Sequence, residues 1–183
     1  MINPACWNED VVSGVGKVLE SEGSVQVKDF FEASAFEKLV AAARKMYVGE
    51  VYAPLEGRYQ EAVFRKKEAV REMERWIKTV GIVGKSKPPV LKLFRHESYT
   101  LCNDLAHEED GVIGILELTR EWWKEWGGYT SFMSGGEEVA RVVPLPNALT
   151  LVRTSKDMKR FVKYVNHFAE KKKRRFVEFF YAL

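Results

Sequence analysis

The stretch PPVLKLFRHESYTLCNDLAHEEDGVIGILEL, running from Pro88 to Leu118, decides how this chain folds. The paired prolines cannot continue a helix, and beyond them short apolar runs alternate with polar turns. Val90 to Phe94, Tyr99 to Cys102 and Val112 to Leu118 read as strands. The same rhythm continues through Tyr129 to Met133, Val139 to Pro144, Leu149 to Arg153, Phe161 to His167 and Phe176 to Tyr181. Short strands at this spacing, with turn residues between them, predict a jelly roll or barrel.

Before Pro88 the pattern is mostly helical. A helix is expected from about Glu9 to Glu20, then a strand over Val25 to Phe31, whose residues alternate in polarity. Ser34 is placed to cap a second helix that carries Phe36, Leu39, Val40 and Ala43 at helical spacing as far as Tyr47. A third, highly charged helix is expected from Tyr59 to Val80, with Val63, Val70, Met73, Trp76 and Ile77 near its apolar face. Gly81 and Gly84 end it. The expectation is one α+β domain over residues 1–183: a helical lead-in with one strand over 1–80, then a jelly-roll core over 88–183, with the helices as buttresses.

With 183 residues, 46% of them hydrophobic, the chain is long enough for one full core and short for two. No apolar run reaches membrane-spanning length and the N-terminus carries no secretory pattern, so an intracellular protein, cytoplasmic or nuclear, is expected. Cys6 and Cys102 form no C-x-x-C spacing and read as reduced thiols. A net charge of +3 argues against a dedicated nucleic-acid binder. Lys171-Lys172-Lys173-Arg174-Arg175 nonetheless concentrates five cations, expected to lie exposed as a solvated turn or as a docking patch for RNA or a ribosomal surface.

Other motifs lead nowhere. Gly84-Lys85-Ser86 imitates the end of a phosphate-binding loop, but position 79 is Thr instead of Gly, and Pro88-Pro89 blocks the helix that should follow. His107-Glu108-Glu109-Asp110 crowds four potential ligands onto one stretch whose side chains alternate in direction, which favours an acidic turn over a metal site. Trp122, Trp123 and Trp126 ahead of Gly127-Gly128 read as a tight turn into a strand.

Taken together, the segments resemble the 2-oxoglutarate and Fe(II)-dependent prolyl hydroxylases, in particular the branch that acts on a ribosomal protein and is linked to translation termination. Val25 to Phe31 is similar to that branch's opening "v-V-I-D-N-F-L" strand. Leu101-Cys102-Asn103-Asp104-Leu105 stands where the branch has "L-C-H-D-D". Trp123 to Phe132 resembles "W...GG-x-L-x-L/F", and Pro146-Asn147-Ala148-Leu149 resembles "P-x-x-N-x-L". The resemblance covers Val25 to Tyr181 and implies the double-stranded β-helix form of the jelly roll.

That family holds iron with two histidines and one carboxylate. Here Asn103 stands for the first His, Leu105 for the Asp and Arg160 for the second His. An amide is a feeble ligand, leucine is none, and a guanidinium repels a cation. The resemblance therefore implies a non-catalytic relative: a binding or regulatory module with no cofactor expected, and a ribosomal or translation-termination protein as partner. The alternative is an active prolyl hydroxylase with unusual ligands, drawn from a shifted set of Asp104, His107 and His167. The family's 2-oxoglutarate-binding arginine corresponds to Arg174, or to Arg175 if the gap falls differently. Arg160 and Arg174 together then form a candidate carboxylate or anion site, unless Arg160 turns outward or pairs with Glu117 or Glu178, closing the pocket.

Overall fold

A computed structural model describes residues 1–53, 57–101, 104–105 and 109–183. Three α-helices lie ahead of the main strands: α1 (Glu9–Glu22), α2 (Ala33–Lys45) and α3 (Lys67–Thr79). The strands are β1 (Ser24–Val27), β2 (Gly49–Ala53), β3 (Gly57–Val63), β4 (Lys85–Ser86), β5 (Val90–Phe94), β6 (Tyr99–Thr100), β7 (Asp104–Leu105), β8 (Gly111–Glu117), β9 (Thr130–Ser134), β10 (Glu137–Val142), β11 (Leu149–Thr154), β12 (Lys159–Val162) and β13 (Arg174–Ala182). The larger sheet runs β1-β11-β8-β13-β5-β3-β2, with β4 on β13 and β6 on β3, and the smaller runs β10-β9-β12-β7. All the pairings are antiparallel. This is the expected jelly roll, built on two facing sheets.

Alternation along the central strands explains why they read as continuous apolar runs. On β13, Phe176 and Phe180 face the smaller sheet, where they meet Phe94, Phe132 and Ile113. Val177, Phe179 and Tyr181 face the other way and pack beneath the helices with Leu39, Met73 and Ile77. Both faces are therefore buried, and every second residue serves a different core. Trp76 of α3 is fully buried, and its indole N–H donates to the Cys6 carbonyl at 2.8 Å. The opening segment is thereby fastened to the third helix.

Several local expectations need correction. Ser34 lies inside α2, which begins after Glu32 without a side-chain cap. The predicted helix over Tyr59 to Val80 is two elements, because β3 occupies Gly57–Val63 and α3 starts at Lys67. Arg58, Gln60, Glu61 and Ala62 look helical by propensity, but pairing of β3 with β2 and β5 overrides it. The lead-in thus holds a β-hairpin besides its single expected strand. No helix among the described residues is long and apolar enough to cross a membrane.

Candidate functional site

The alternation on β13 sends Arg174 into the space between the sheets and Arg175 to the opposite face. Arg174 is fully buried. Its Nε donates to Glu117 Oε2 at 2.9 Å, and its Nη1 donates to Thr130 Oγ1 at 3.0 Å and to the Gly128 carbonyl. The guanidinium lies over the Phe176 ring, 4.3 Å from its centroid. Its Nη2 is buried with no hydrogen-bond partner among the described residues.

The Gly127-Gly128 turn is what aims that carbonyl. Both glycines sit at positive φ, 74° and 70°, which side chains with a Cβ adopt only with strain. A Cβ on Gly127 would come within 2.1 Å of the Tyr164 carbonyl oxygen, and one on Gly128 within 2.8 Å of the Trp122 ring. The Trp122 indole N–H closes the turn by donating to the Gly127 carbonyl at 2.8 Å.

A second buried cluster sits four residues along β13. Glu178 Oε1 lies 2.9 Å from Lys92 Nζ, and Glu178 Oε2 lies 2.6 Å from Arg160 Nη1. Lys92 comes from β5 and Arg160 from β12, so the cluster ties the two sheets together across the barrel. Burial pushes the Glu178 carboxyl up, but the charges of Arg160 and Lys92 outweigh it and hold the group down at about 2. It is ionised in the folded protein at neutral pH.

Of the positions matched to the metal triad, Arg160 belongs to this cluster. The register of β12 with β7 places Asp104 opposite Arg160 and Leu105 opposite Lys159. Asn103 and His107 lie outside the described residues. His167 is exposed on a 3-10 turn, His167–Ala169, where its ring lies 4.1 Å from that of Phe168, tilted by 39°. Among the described residues no three His, Cys, Asp or Glu side chains stand together as a metal-binding group. The acidic stretch is exposed at Glu109 and Asp110, and the Asp110 carboxylate accepts from the Lys156 backbone N–H at 2.9 Å.

The basic block divides. Lys171, Lys172 and Lys173 are exposed, Arg175 is half-buried, and Arg174 is wholly inside. The expectation of five exposed cations is corrected, because the block runs into a strand whose first side chain points into the barrel. As for the anion site, each of its two arginines already has a carboxylate: Glu178 for Arg160 and Glu117 for Arg174.

The fold is shared with other proteins. The chain superposes on a prolyl hydroxylase from Trichoplax adhaerens, solved with a hypoxia inducible factor peptide, with a TM-score of 0.76 at 12% identity over 97% of this chain and 91% of that one. A Pseudomonas putida prolyl-4-hydroxylase gives a TM-score of 0.73 at 14% identity over 93% and 98%. The fold is that of the 2-oxoglutarate/Fe(II) oxygenases. A viral collagen prolyl hydroxylase from Paramecium Bursaria Chlorella virus-1, solved as its 2-oxoglutarate complex, gives a TM-score of 0.65 at 11% identity over 91% and 99%. In sequence, the chain is 37% identical over 82 residues to a Xenopus laevis protein named prolyl 3-hydroxylase OGFOD1, a match covering 42% of this chain and 16% of that protein. The chain thus matches about a sixth of that relative's length. No family model matches.

These comparisons correct the expectation that no cofactor is used. Proteins of this fold include one solved with 2-oxoglutarate, so the replacements at Asn103, Leu105 and Arg160 do not by themselves establish that cofactors are absent. The Lys92–Glu178–Arg160 cluster is nonetheless a poor fit to a divalent metal, since two cations already share the Glu178 carboxylate. At Arg174, Glu117 already accepts from Nε, while Nη2 keeps a free donor among the described residues.

Sequence reasoning named Glu117 and Glu178 as possible partners for Arg160 but missed Lys92, Thr130 and the pairing of Arg174. A signal was present. Lys92 in Val90-Leu91-Lys92-Leu93-Phe94, and Glu178 in Phe176-Val177-Glu178-Phe179-Phe180, each place a lone charge in a strand buried on both faces. Such charges require partners.

Proposed function

We propose that this chain is a catalytically degenerate prolyl-hydroxylase-like protein that works as a binding or regulatory module. The single observation that carries the reading is the Lys92–Glu178–Arg160 cluster, which stands at the position matched to the second metal-binding histidine. Where an oxygenase of this fold needs neutral imidazole and carboxylate ligands open to a metal, this barrel presents a fixed guanidinium and an ammonium closed onto a glutamate. The Arg174–Glu117 pair extends the same pattern deeper, because the charge of the buried arginine is already balanced by an internal carboxylate. No reaction step is assigned to these residues. Their role is to keep the fold, and with it a surface shaped for a partner.

The proposed partner is a ribosomal or translation-termination protein, on the strength of the sequence likeness to the hydroxylase branch described above. The test is hydroxylation of a proline-bearing ribosomal-protein peptide by the purified chain with Fe(II), 2-oxoglutarate and air, followed by mass spectrometry. The degenerate reading expects no gain of one oxygen on the peptide. A gain that requires both 2-oxoglutarate and oxygen would establish the active alternative.

A further inference from the structure

On the face of β13 opposite the barrel, Arg175 opens into a concave pocket of about 450 Å³. Its walls are Arg44 in the last turn of α2, the 118–121 segment that leaves β8, and Lys171 to Lys173 on the turn into β13. Two of its six cations are paired, Arg120 with Glu37 and Lys172 with Glu121, the latter at 2.5 Å. Arg44, Lys171, Lys173 and Arg175 have no carboxylate partner among the described residues.

Arg175 is the anchor of this pocket. Its backbone N–H donates to Thr119 Oγ1 at 2.8 Å and its carbonyl accepts from the Leu118 N–H at 2.8 Å, so the residue is held in place at both ends. Its Nε is buried with no hydrogen-bond partner among the described residues. Burial first, and then the charge of Arg44, push its guanidinium below the ordinary arginine value. A buried donor without an acceptor, beside a like charge, is costly unless an anion completes it.

Aromatic rings flank the basic turn. Trp123 and Phe168 are large apolar side chains left 58% and 64% exposed. Glu121 joins Trp123 to the block, accepting from the indole N–H at 3.4 Å while pairing with Lys172. Phe168 sits on the 3-10 turn just ahead of Lys171, and Asn166 ties that turn to the tryptophan segment through the Trp126 carbonyl at 3.0 Å. Unpaired cations beside exposed rings are what single-stranded nucleic acid requires: cations for the phosphates and flat faces for the bases. An acidic peptide would use the cations and leave the rings idle.

We propose that this pocket, centred on Arg175 and Arg44, binds the phosphate backbone of single-stranded RNA, with Trp123 and Phe168 as stacking platforms. It lies outside the barrel, so RNA binding does not depend on whether the barrel catalyses a reaction.

The test is fluorescence anisotropy of a short labelled oligouridine with the full chain across a range of salt. With four unpaired cations engaged, the slope of log affinity against log salt is expected near about −3. Arg44→Ala lies on an exposed helix end and should shrink that slope by about 1 while leaving the unfolding temperature in place. Trp123→Ala should weaken binding at least about fivefold with the slope unchanged. Lys171→Glu with Lys173→Glu should abolish it. Polyglutamate of matched charge should compete poorly, and inorganic phosphate only at far higher concentration. Failure to bind oligouridine, binding indifferent to Arg44→Ala and Trp123→Ala, or competition by polyglutamate equal to that of RNA would each overturn the proposal.

Discussion

Arg160 and Glu178 meet at 2.6 Å across the barrel, one from each sheet, and Lys92 shares the same carboxylate at 2.9 Å. A buried carboxylate between two cations stabilises the fold only while ionised, so its contribution depends on pH. The Glu178 carboxyl is held at about 2 in the folded protein against an ordinary 4.5. Because the folded value is the lower one, its stabilisation is fully present above about pH 4.5 and is lost as pH falls towards 2. The shift corresponds to on the order of 3 kcal/mol. Denaturant unfolding at neutral pH and at several acid values should show this loss, and Glu178→Gln should flatten the curve between about pH 2 and 5 while lowering stability at neutral pH by roughly 3–5 kcal/mol. An unchanged acid limb in the variant would assign the loss to other carboxylates.

The Arg174–Glu117 pair should behave as a unit. Glu117→Ala leaves a wholly buried guanidinium without its counter-charge and is expected to cost roughly 3–5 kcal/mol. Replacing both partners with apolar side chains, Glu117→Leu with Arg174→Met, should recover most of that loss. Urea unfolding of the two singles and the double measures the coupling, and strictly additive losses would show that the charges stabilise the fold independently.

Asn147 should matter more than its place in a turn implies. Its side-chain carbonyl accepts from the Phe31 N–H at 3.0 Å and its amide donates to the Phe31 carbonyl at 2.7 Å, while its backbone adopts φ 57°. Asn147→Ala loses both bonds and strains the turn, for about 2–3 kcal/mol, whereas Asn147→Gly restores the backbone and part of the loss. Chemical denaturation of the two variants distinguishes these contributions; equal losses would leave the backbone conformation no role.

The strand rhythm after Pro88 and the helical spacing of Phe36, Leu39 and Val40 were legible because burial imposes period and these residues obey it. The β2–β3 hairpin was not. Its residues favour helix, and only pairing with β5, remote in sequence, makes them a strand. In the barrel, the choice between Arg174 and Arg175 could not be made from the residues alone, because a shift of one position turns a strand residue to the other face. The register of β13 on β5 turns Arg174 inward and Arg175 outward, and it gives the two neighbours unrelated surroundings. Lys92 was hidden for a different reason: a lone lysine in an apolar strand signals a partner but not which one.

The most direct measurement is succinate release from 2-oxoglutarate under air with added Fe(II), comparing the wild-type chain with a variant carrying Asn103→His, Leu105→Asp and Arg160→His. A barrel closed by its own ion pairs predicts no succinate from wild type above the protein-free control, and release only where the three replacements restore a metal-binding set. Oxygen-dependent succinate release by the wild-type chain at the level of the variant would contradict it.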